Sequence, residues 1–278
     1  MTKPDACIVS GADEIRLRSY IGHTVYARLY GLDYRLETGL SRGVENKFFY
    51  KMAMVEHVLD RYDWIVWLDD DCFITDFTRD TFRELIGQAE RDDRFLVIAE
   101  GAVEPNGWWS RMNTGVFALR NDPRTRQMLR RMRDTSVAEV RSRWNEREWG
   151  LFTGGDQDVM CWALEETGLI DAVRIVEHRV MNSRPHHYRD SLRDAFVCHF
   201  AGYPDKGAGV VEFARRFGSG QELVPQELLD EFSVRVRDPL SPIGYAARIG
   251  RMRALSKAKR LLRPAYRSLR RRRDPAAV

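Results

Sequence analysis

The run from Asp63 to Ile74, DWIVWLDDDCFI, constrains the fold more than any other part of the chain. Five apolar residues are followed directly by the triplet Asp69-Asp70-Asp71. A short unbroken apolar run predicts a strand that is buried on both faces, as in the sheet of an α/β fold. Ligands bind at the carboxyl ends of such strands. The three acids are therefore either a site for Mg²⁺ or Mn²⁺ shared with phosphates, or a solvated acidic turn.

The rest of the chain alternates apolar runs with segments of helical spacing. Predicted strands lie at 6–11, 34–37, 95–99, 112–121, 173–176 and 195–200. Predicted helices lie at 14–30, 46–59, 81–90 and 124–149, with another from 156 onward. Thr81 and Glu84 have the spacing of a capping box at the start of the third helix. This alternation predicts one Rossmann-like α/β domain with a mostly parallel central sheet flanked by helices.

Charge divides the chain into two parts. Its 278 residues, with 44% hydrophobic and 11% aromatic content, are typical of a globular protein. From Leu240 to the end there are twelve Arg and Lys against one acid, whereas the rest carries 33 basic and 40 acidic residues. We therefore predict a domain at 1–239 and a basic tail at 240–278. The acidic body argues against binding to nucleic acid.

The basic tail is predicted to be helical from Ile243 onward. Its apolar residues are spaced mostly by three or four, with Arg and Lys between them, and Pro264 should interrupt or kink the helix. An apolar stripe flanked by cations favours a helix lying on an anionic membrane surface. The alternatives are a soluble helix packed on the acidic body and a disordered tail.

The cysteines and the first residues bear on the cellular compartment. Cys7, Cys72, Cys161 and Cys198 are widely spaced among apolar residues, without a C-x-x-C pair. This predicts buried reduced thiols, not disulfides or zinc ligands. The sequence from Met1 shows neither a signal peptide nor a transmembrane segment. We therefore expect a cytoplasmic protein, peripheral on the inner face of the membrane if the tail binds lipid.

Two polar or aromatic motifs surround the predicted strand at 112–121. Trp108 and Trp109 stand in a loop containing Gly and Pro. They would stack on a sugar of the acceptor or pack into the core. The turn Asn113-Thr114-Gly115 enters the strand, and its polar groups would lie at the edge of the sheet.

Two further motifs lie later in the chain. Asp156 and Gln157 follow two glycines at a predicted helix start, where Asp156 would either cap the helix or face a binding site. His199 ends a predicted strand and precedes a loop that contains Gly202 and Lys206. Such a histidine is either part of the core or a ligand.

The order of these motifs resembles that of retaining glycosyltransferases of the GT-A fold. The nearest match is glycosyltransferase family 34, the α-galactosyl, α-xylosyl and α-mannosyl transferases, with the glycogenin-like family related to it. The resemblance spans about residues 46–206 and is specific in combination. It implies metal-dependent transfer of a sugar of the galactose, glucose, xylose or mannose class. The donor would be a nucleotide sugar, UDP-linked by family default, and the acceptor a glycan or a lipid-linked molecule.

The resemblance also implies a role for each motif. The metal residues would be Asp69, Asp71 and His199: Asp69 would face the ribose or a metal-bound water, and Asp71 and His199 would bind Mn²⁺ directly, with Mg²⁺ as the alternative. Lys206 would neutralise the diphosphate, although the preceding Tyr-Pro-Asp departs from the family pattern. Asp156 and Gln157 would flank the reacting anomeric carbon. The remaining donor contacts would come from Ser10, Gly11, Asp70, Asn113, Thr114, Gly115 and Gly202.

This chemistry needs these residue types. A metal held by carboxylate and imidazole, together with Lys206, would stabilise the charge on the departing phosphate. The anomeric carbon becomes oxocarbenium-like, and the Gln157 amide oxygen would lie beside it. The departing phosphate itself would take the acceptor's proton. The alternatives are a nucleotidyltransferase, an inverting nucleotide-sugar enzyme and a non-catalytic scaffold on the same fold.

Overall fold

The computed structural model describes residues 6–39, 47–236 and 242–273, with the side chains at 47–49, 242 and 263–273 left out. The strands are β1 (Ala6–Ala12), β2 (Asp33–Thr38), β3 (Trp64–Asp69), β4 (Cys72–Ile74), β5 (Leu96–Gly101), β6 (Ser110–Arg120), β7 (Val173–Val176) and β8 (Val197–His199). The helices are α1 (Ser19–Tyr30), α2 (Lys47–Leu59), α3 (Thr81–Arg91), α4 (Pro123–Arg133), α5 (Val137–Ser142), α6 (Glu146–Trp149), α7 (Asp156–Glu166), α8 (His178–Met181), α9 (Lys206–Arg216), α10 (Gln226–Glu231) and α11 (Pro242–Arg273).

Six strands form the main sheet, in the order β2-β1-β3-β6-β5-β7. β1 is parallel to both β2 and β3, and β5 is parallel to β7. β6 is antiparallel to its neighbours β3 and β5, so five of the six strands run in one direction. The predicted α/β fold with a mostly parallel sheet is confirmed.

Each face of the main sheet is covered by helices. In β3, Ile65 and Trp67 pack with side chains of α2, α4 and α7, whereas Trp64, Val66 and Leu68 pack with α1 and α3. Successive residues of a strand point to opposite faces. The unbroken apolar run is therefore buried on both sides, as predicted.

A second sheet, which the sequence did not predict, consists of β4 and β8. These two short strands are antiparallel, and Cys72 pairs with His199. The chain reaches β4 directly after β3, through the turn at Asp70 and Asp71. The late predicted strand at 195–200 thus lies outside the main sheet. It brings His199 to the residues that follow β3.

Three helix boundaries differ from the prediction. The predicted helix at 14–30 begins only at Ser19. The segment predicted as one helix at 124–149 is three helices, because Ser136 and Asn145 cap α5 and α6 with their side chains. The cap of α3 is Asp80, whose carboxylate accepts a hydrogen bond from Arg83 N, so the predicted capping box at Thr81 is wrong.

The basic tail is a helix that continues past Pro264, so the predicted interruption there is wrong. Its first turns pack on α9, where Tyr245, Ile249 and Met252 are buried with Ala208 and Val211. This part matches the alternative of a helix packed on the body. The boundary predicted between residues 239 and 240 lies outside the described residues.

Two sequence predictions concern features of the whole chain. All four cysteines are buried thiols outside disulfides, as predicted. Across residues 6–39, 47–236 and 242–273, none of the helices is both long enough and apolar enough to cross a bilayer.

The cap of α3 gives a direct test of the fold. Asp80→Ala should lower the free energy of unfolding by about 1–2 kcal/mol, because Arg83 N loses its partner at the helix start. Thr81→Ala is the matched control: the Thr81 hydroxyl is buried without a hydrogen bond, so its removal should cost much less. Urea denaturation measures both. An equal loss in the two variants would contradict the assignment of the cap.

Candidate active site

A cleft of about 1060 Å³ lies at the carboxyl ends of β1 and β3. The first half of the antiparallel strand β6 also lies at this edge of the sheet. The cleft is lined by every site residue that the sequence predicted except Ser10: Gly11, Asp69, Asp70, Asp71, Trp108, Trp109, Asn113, Thr114, Gly115, Asp156, Gln157, His199, Gly202 and Lys206. Residues that are far apart in the chain thus share one site at the ligand-binding edge of the sheet.

Ser10 lies apart from the cleft lining. It is buried, and its hydroxyl lies 2.9 Å from Nδ1 of His23 and 3.0 Å from the hydroxyl of Tyr34. Burial lowers the pKa of His23 to about 4, so this histidine is neutral and belongs to a polar network inside the fold. Gly11, the next residue, is the part of β1 that reaches the cleft.

Asp71 and His199 meet at the base of the cleft. Both side chains are buried, and Nε2 of His199 lies 3.3 Å from Oδ1 of Asp71. With Cys72, they form a group whose candidate ligand atoms all lie within 4.8 Å of one another. This proximity follows from the pairing of β4 with β8, which places His199 opposite the residue after Asp71.

A chain of hydrogen bonds orients the His199 ring. Nδ1 of His199 lies 2.9 Å from Oδ1 of Asn182, and the Asn182 amide donates to Oδ1 of Asn113 at 2.8 Å. Oδ1 of Asn113 also accepts from Gly115 N at 3.0 Å. Because Oδ1 of Asn182 accepts from Nδ1, Nε2 is the ring nitrogen that faces Asp71, and it is the one placed to bind a metal. Asn182 was not among the predicted residues, since nothing in its sequence context marks it.

Lys51 is the second residue that the sequence did not predict. Its ammonium group is buried 2.9 Å from Oδ1 of Asp69 and 2.9 Å from Oδ2 of Asp156, and it donates to Thr114 O. Burial alone would lower the pKa of Lys51, but the carboxylates of Asp156 and Asp69 raise it above its usual value. One signal for its burial was available in the sequence. Lys51 lies four residues before Val55, which places a lysine on the apolar face of α2.

Asp156 faces the cleft and does not cap α7. Gly155 is the N-cap residue, and no side chain caps this helix start. The loop before it is held by Asp158, whose Oδ2 accepts from Thr153 N at 2.7 Å and also from Gly154 N. Asp156 is therefore available to pair with Lys51.

The three acids of the triplet have different surroundings. Burial alone would raise the pKa of Asp71, but His199 and Lys206 hold it well below its usual range, with Nζ of Lys206 2.6 Å from Oδ2 of Asp71. Burial and the neighbouring Asp71 carboxylate raise the pKa of Asp70 to about 6. Asp69 accepts at Oδ1 from the Trp67 indole at 2.7 Å as well as from Lys51.

The residues around Asp71 fit a hard divalent cation. The carboxylate already binds a cationic group, the Lys206 ammonium, and the oriented imidazole adds a nitrogen donor. Burial raises the pKa of the Cys72 thiol, whose sulfur lies 3.4 Å from Gly115 O, so Cys72 is a neutral thiol. Oxygen and imidazole donors without thiolate suit Mn²⁺ or Mg²⁺ better than a thiophilic metal.

The chain is similar to known glycosyltransferases. No protein-family model matches it. Over 123 residues, 43% of this chain, it is 24% identical to galactomannan galactosyltransferase 1 of Cyamopsis tetragonoloba. Over 126 residues, again 43% of this chain, it is 27% identical to probable glycosyltransferase 7 of Oryza sativa subsp. indica. The aligned parts span only 28% and 27% of the length of these two relatives.

A solved structure matches more of the chain. It is a glycosyltransferase involved in the glycosylation of the major capsid of PBCV-1, with a TM-score of 0.54 and 14% sequence identity. The match covers 80% of this chain and 100% of that one. The fold is that of a GT-A glycosyltransferase.

The packing of Gly115 against His199 tests the metal site. A Cβ at Gly115 would lie 2.3 Å from Cε1 of His199, so Gly115→Ala should displace the ring from Asp71. We expect the affinity for Mn²⁺, measured by titration calorimetry, to fall at least about tenfold. Gly87→Ala in α3 is the control, since its Cβ would meet only the Arg91 guanidinium at 3.6 Å. Equal affinity in both variants would contradict a role for His199 as a ligand.

The ion pairs of Lys51 predict a pH-dependent loss of stability. Lys51→Met leaves Asp69 and Asp156 without their buried cation and should lower the free energy of unfolding by about 3–5 kcal/mol at neutral pH. Burial already raises the pKa of Asp69, and the loss of Lys51 removes the charge that opposes this rise, so protonation should make the loss smaller as pH falls. Urea denaturation at several pH values measures this. Lys257→Met, at an exposed lysine, should change little, and a pH-independent loss would contradict the charge argument.

Proposed function

We propose that the protein is a metal-dependent glycosyltransferase that moves a sugar from UDP to an acceptor hydroxyl with retention of the anomeric configuration. The observation that carries the proposal is the meeting of Asp71 and His199 in the same cleft as Asp156 and Lys51. The glycosyltransferase fold and the partial sequence relatives support it. The order of motifs supports family 34, with the glycogenin-like family as the related alternative.

Asp71 and His199 would hold the metal, and the imidazole favours Mn²⁺ over Mg²⁺. Bound there, the ion would supply Lewis-acid stabilisation of the charge on the leaving diphosphate. Lys206 is the protein's own cation at this place. Its side chain is 43% exposed, so it has the freedom to move from Asp71 to a phosphate oxygen of the donor. Gly202, with φ of 76°, allows the chain to turn in the loop that precedes Lys206.

Asp156 and Lys51 would position the donor sugar. The ion pair with Lys51 holds the Asp156 side chain in place, which suits the orientation of a sugar hydroxyl. Asn113, Thr114 and Gly115 line the same side of the cleft. Their backbone is held by Lys51, which donates to Thr114 O, and by the Asn113 side chain, which accepts from Gly115 N.

Retention follows from attack on the face that the diphosphate leaves. The bond between the anomeric carbon and the phosphate oxygen breaks, and the acceptor oxygen bonds to that carbon. The acceptor proton passes to the departing phosphate oxygen, so no separate base is needed. Gln157 lines the cleft beside Asp156 and would present its amide oxygen to the positive charge that develops on the sugar.

The donor sugar and the acceptor are proposed by class. Galactose is the first sugar to test, because one partial relative is named a galactosyltransferase; glucose, xylose and mannose are the others. Trp109, which is 40% exposed, and Trp108 line the cleft and would stack on a sugar of the acceptor. The acceptor would be a glycan or a lipid-linked molecule.

Ligand-dependent thermal stability tests the proposal. UDP at about one hundred times its dissociation constant should raise Tm by about 5 °C or more with Mn²⁺, and far less without it. Asp71→Asn should remove the difference that Mn²⁺ makes. Asp76→Asn, an acid five residues later that does not line the cleft, is the matched control. An equal shift with and without Mn²⁺ would refute metal-dependent donor binding.

The stereochemistry has its own readout. Turnover of UDP-α-galactose with a sugar acceptor should give an α-linked product by NMR, and Asp71→Asn should abolish it. A β-linked product would overturn the retaining mechanism while leaving the transferase assignment in place.

A further inference from the structure

Helix α11 changes its surroundings along its length. Tyr245, Ile249 and Met252 are buried against α9, whereas every residue from 253 to 262 is exposed. Arg253 still pairs with Glu212 of α9. From there to Arg273 the helix is about 30 Å long. The distal part of α11, residues 253–273, is thus a helix whose described side chains are left uncovered by the body.

An apolar stripe runs along this distal part. Leu255 is 41% exposed and Leu262 is 65% exposed. They are seven residues apart, which places them on the same face of the helix. In the sequence, Tyr266 and Leu269 follow Leu262 at four and seven residues, a spacing that keeps to the same side of a helix. Leu261 is equally exposed, at 67%, but points about 100° away from its neighbour Leu262.

The stripe begins in the cleft. Arg248, Arg251 and Leu255, spaced by three and four residues, all line the cleft. Arg248 pairs with Asp205, the N-cap residue of α9, at 3.0 Å. Arg251 is exposed and has no ion pair among the residues that the structure describes. One face of α11 therefore leads from Arg248, Arg251 and Leu255 in the lining of the cleft to Leu262 outside it.

The charge of α11 limits what covers this stripe. The helix contains twelve Arg and Lys and no Asp or Glu. A helix with an apolar stripe flanked by cations binds at the interface of an anionic bilayer, where the leucines enter the acyl boundary and the cations meet the headgroups. A purely electrostatic partner would leave the leucines in water.

We propose that the distal part of α11 lies on an anionic phospholipid bilayer, with Leu255 and Leu262 inserted, and that the mouth of the cleft opens onto this surface. One consequence rests on the proposed glycosyl transfer: the acceptor is lipid-linked, with its reacting hydroxyl near the headgroups. Membrane binding itself does not depend on that function.

Vesicle co-sedimentation of the full chain tests the proposal. Vesicles of phosphatidylcholine mixed with phosphatidylglycerol should bind the protein, and vesicles of phosphatidylcholine alone should bind it at least about tenfold less. Leu262→Ser should lower the partition coefficient about tenfold, because one leucine no longer enters the bilayer. Leu261→Ser is the matched control, with the same residue type and exposure on another face, and should change it less than about twofold.

Each other outcome would overturn the proposal. Equal losses in the two leucine variants would show that no oriented stripe inserts. Equal binding to neutral vesicles would remove the part played by charge, and absence of binding would remove the surface altogether. Release of the protein by inorganic phosphate would indicate a site for free anions instead. The effect of UDP and Mn²⁺ on Tm, measured without vesicles, shows separately whether the donor site works.

Discussion

The architecture of the site depends on cations that stand among buried carboxylates. Asp71 and Asp156 are buried at one end of the sheet, with Asp69 and Asp70 beside them. Like charges held this close would push the carboxyl pKa values up or the chain apart. Lys51 lies between Asp69 and Asp156, and Lys206 contacts Asp71. The acid cluster is therefore stable as part of a charged network. One of its cations, Lys206, is exposed enough to exchange Asp71 for another anion.

The small sheet of β4 and β8 completes this network. Its pairing places His199 beside Asp71, and the hydrogen bonds through Asn182 and Asn113 set which nitrogen faces the carboxylate. Gly115 lets the imidazole lie against the β6 backbone, where no side chain would fit. Orientation by neighbouring amides is what turns a buried histidine into a directional ligand.

The tail connects the cleft with the surface of the protein. Its first turns extend the body, since Tyr245, Ile249 and Met252 join the apolar contacts of α9. Its cations reach the cleft because α9 begins with Lys206, beside the acid cluster, and α11 packs along α9. The sequence alone offered a membrane helix, a packed helix and a disordered tail as alternatives. In the structure, the first turns of this helix pack on the body and residues 253–262 are exposed.

The sequence by itself determined the α/β class, the doubly buried β3 and the acids at its end, because these follow from local apolar runs and from where they stop. Nearly all the site residues that it marked line the cleft, since their polar motifs follow predicted strands. Lys51, Asn182 and the β4–β8 pair were decided only by the tertiary structure. Their roles arise from contacts between segments far apart in the chain, which no local pattern of residues encodes.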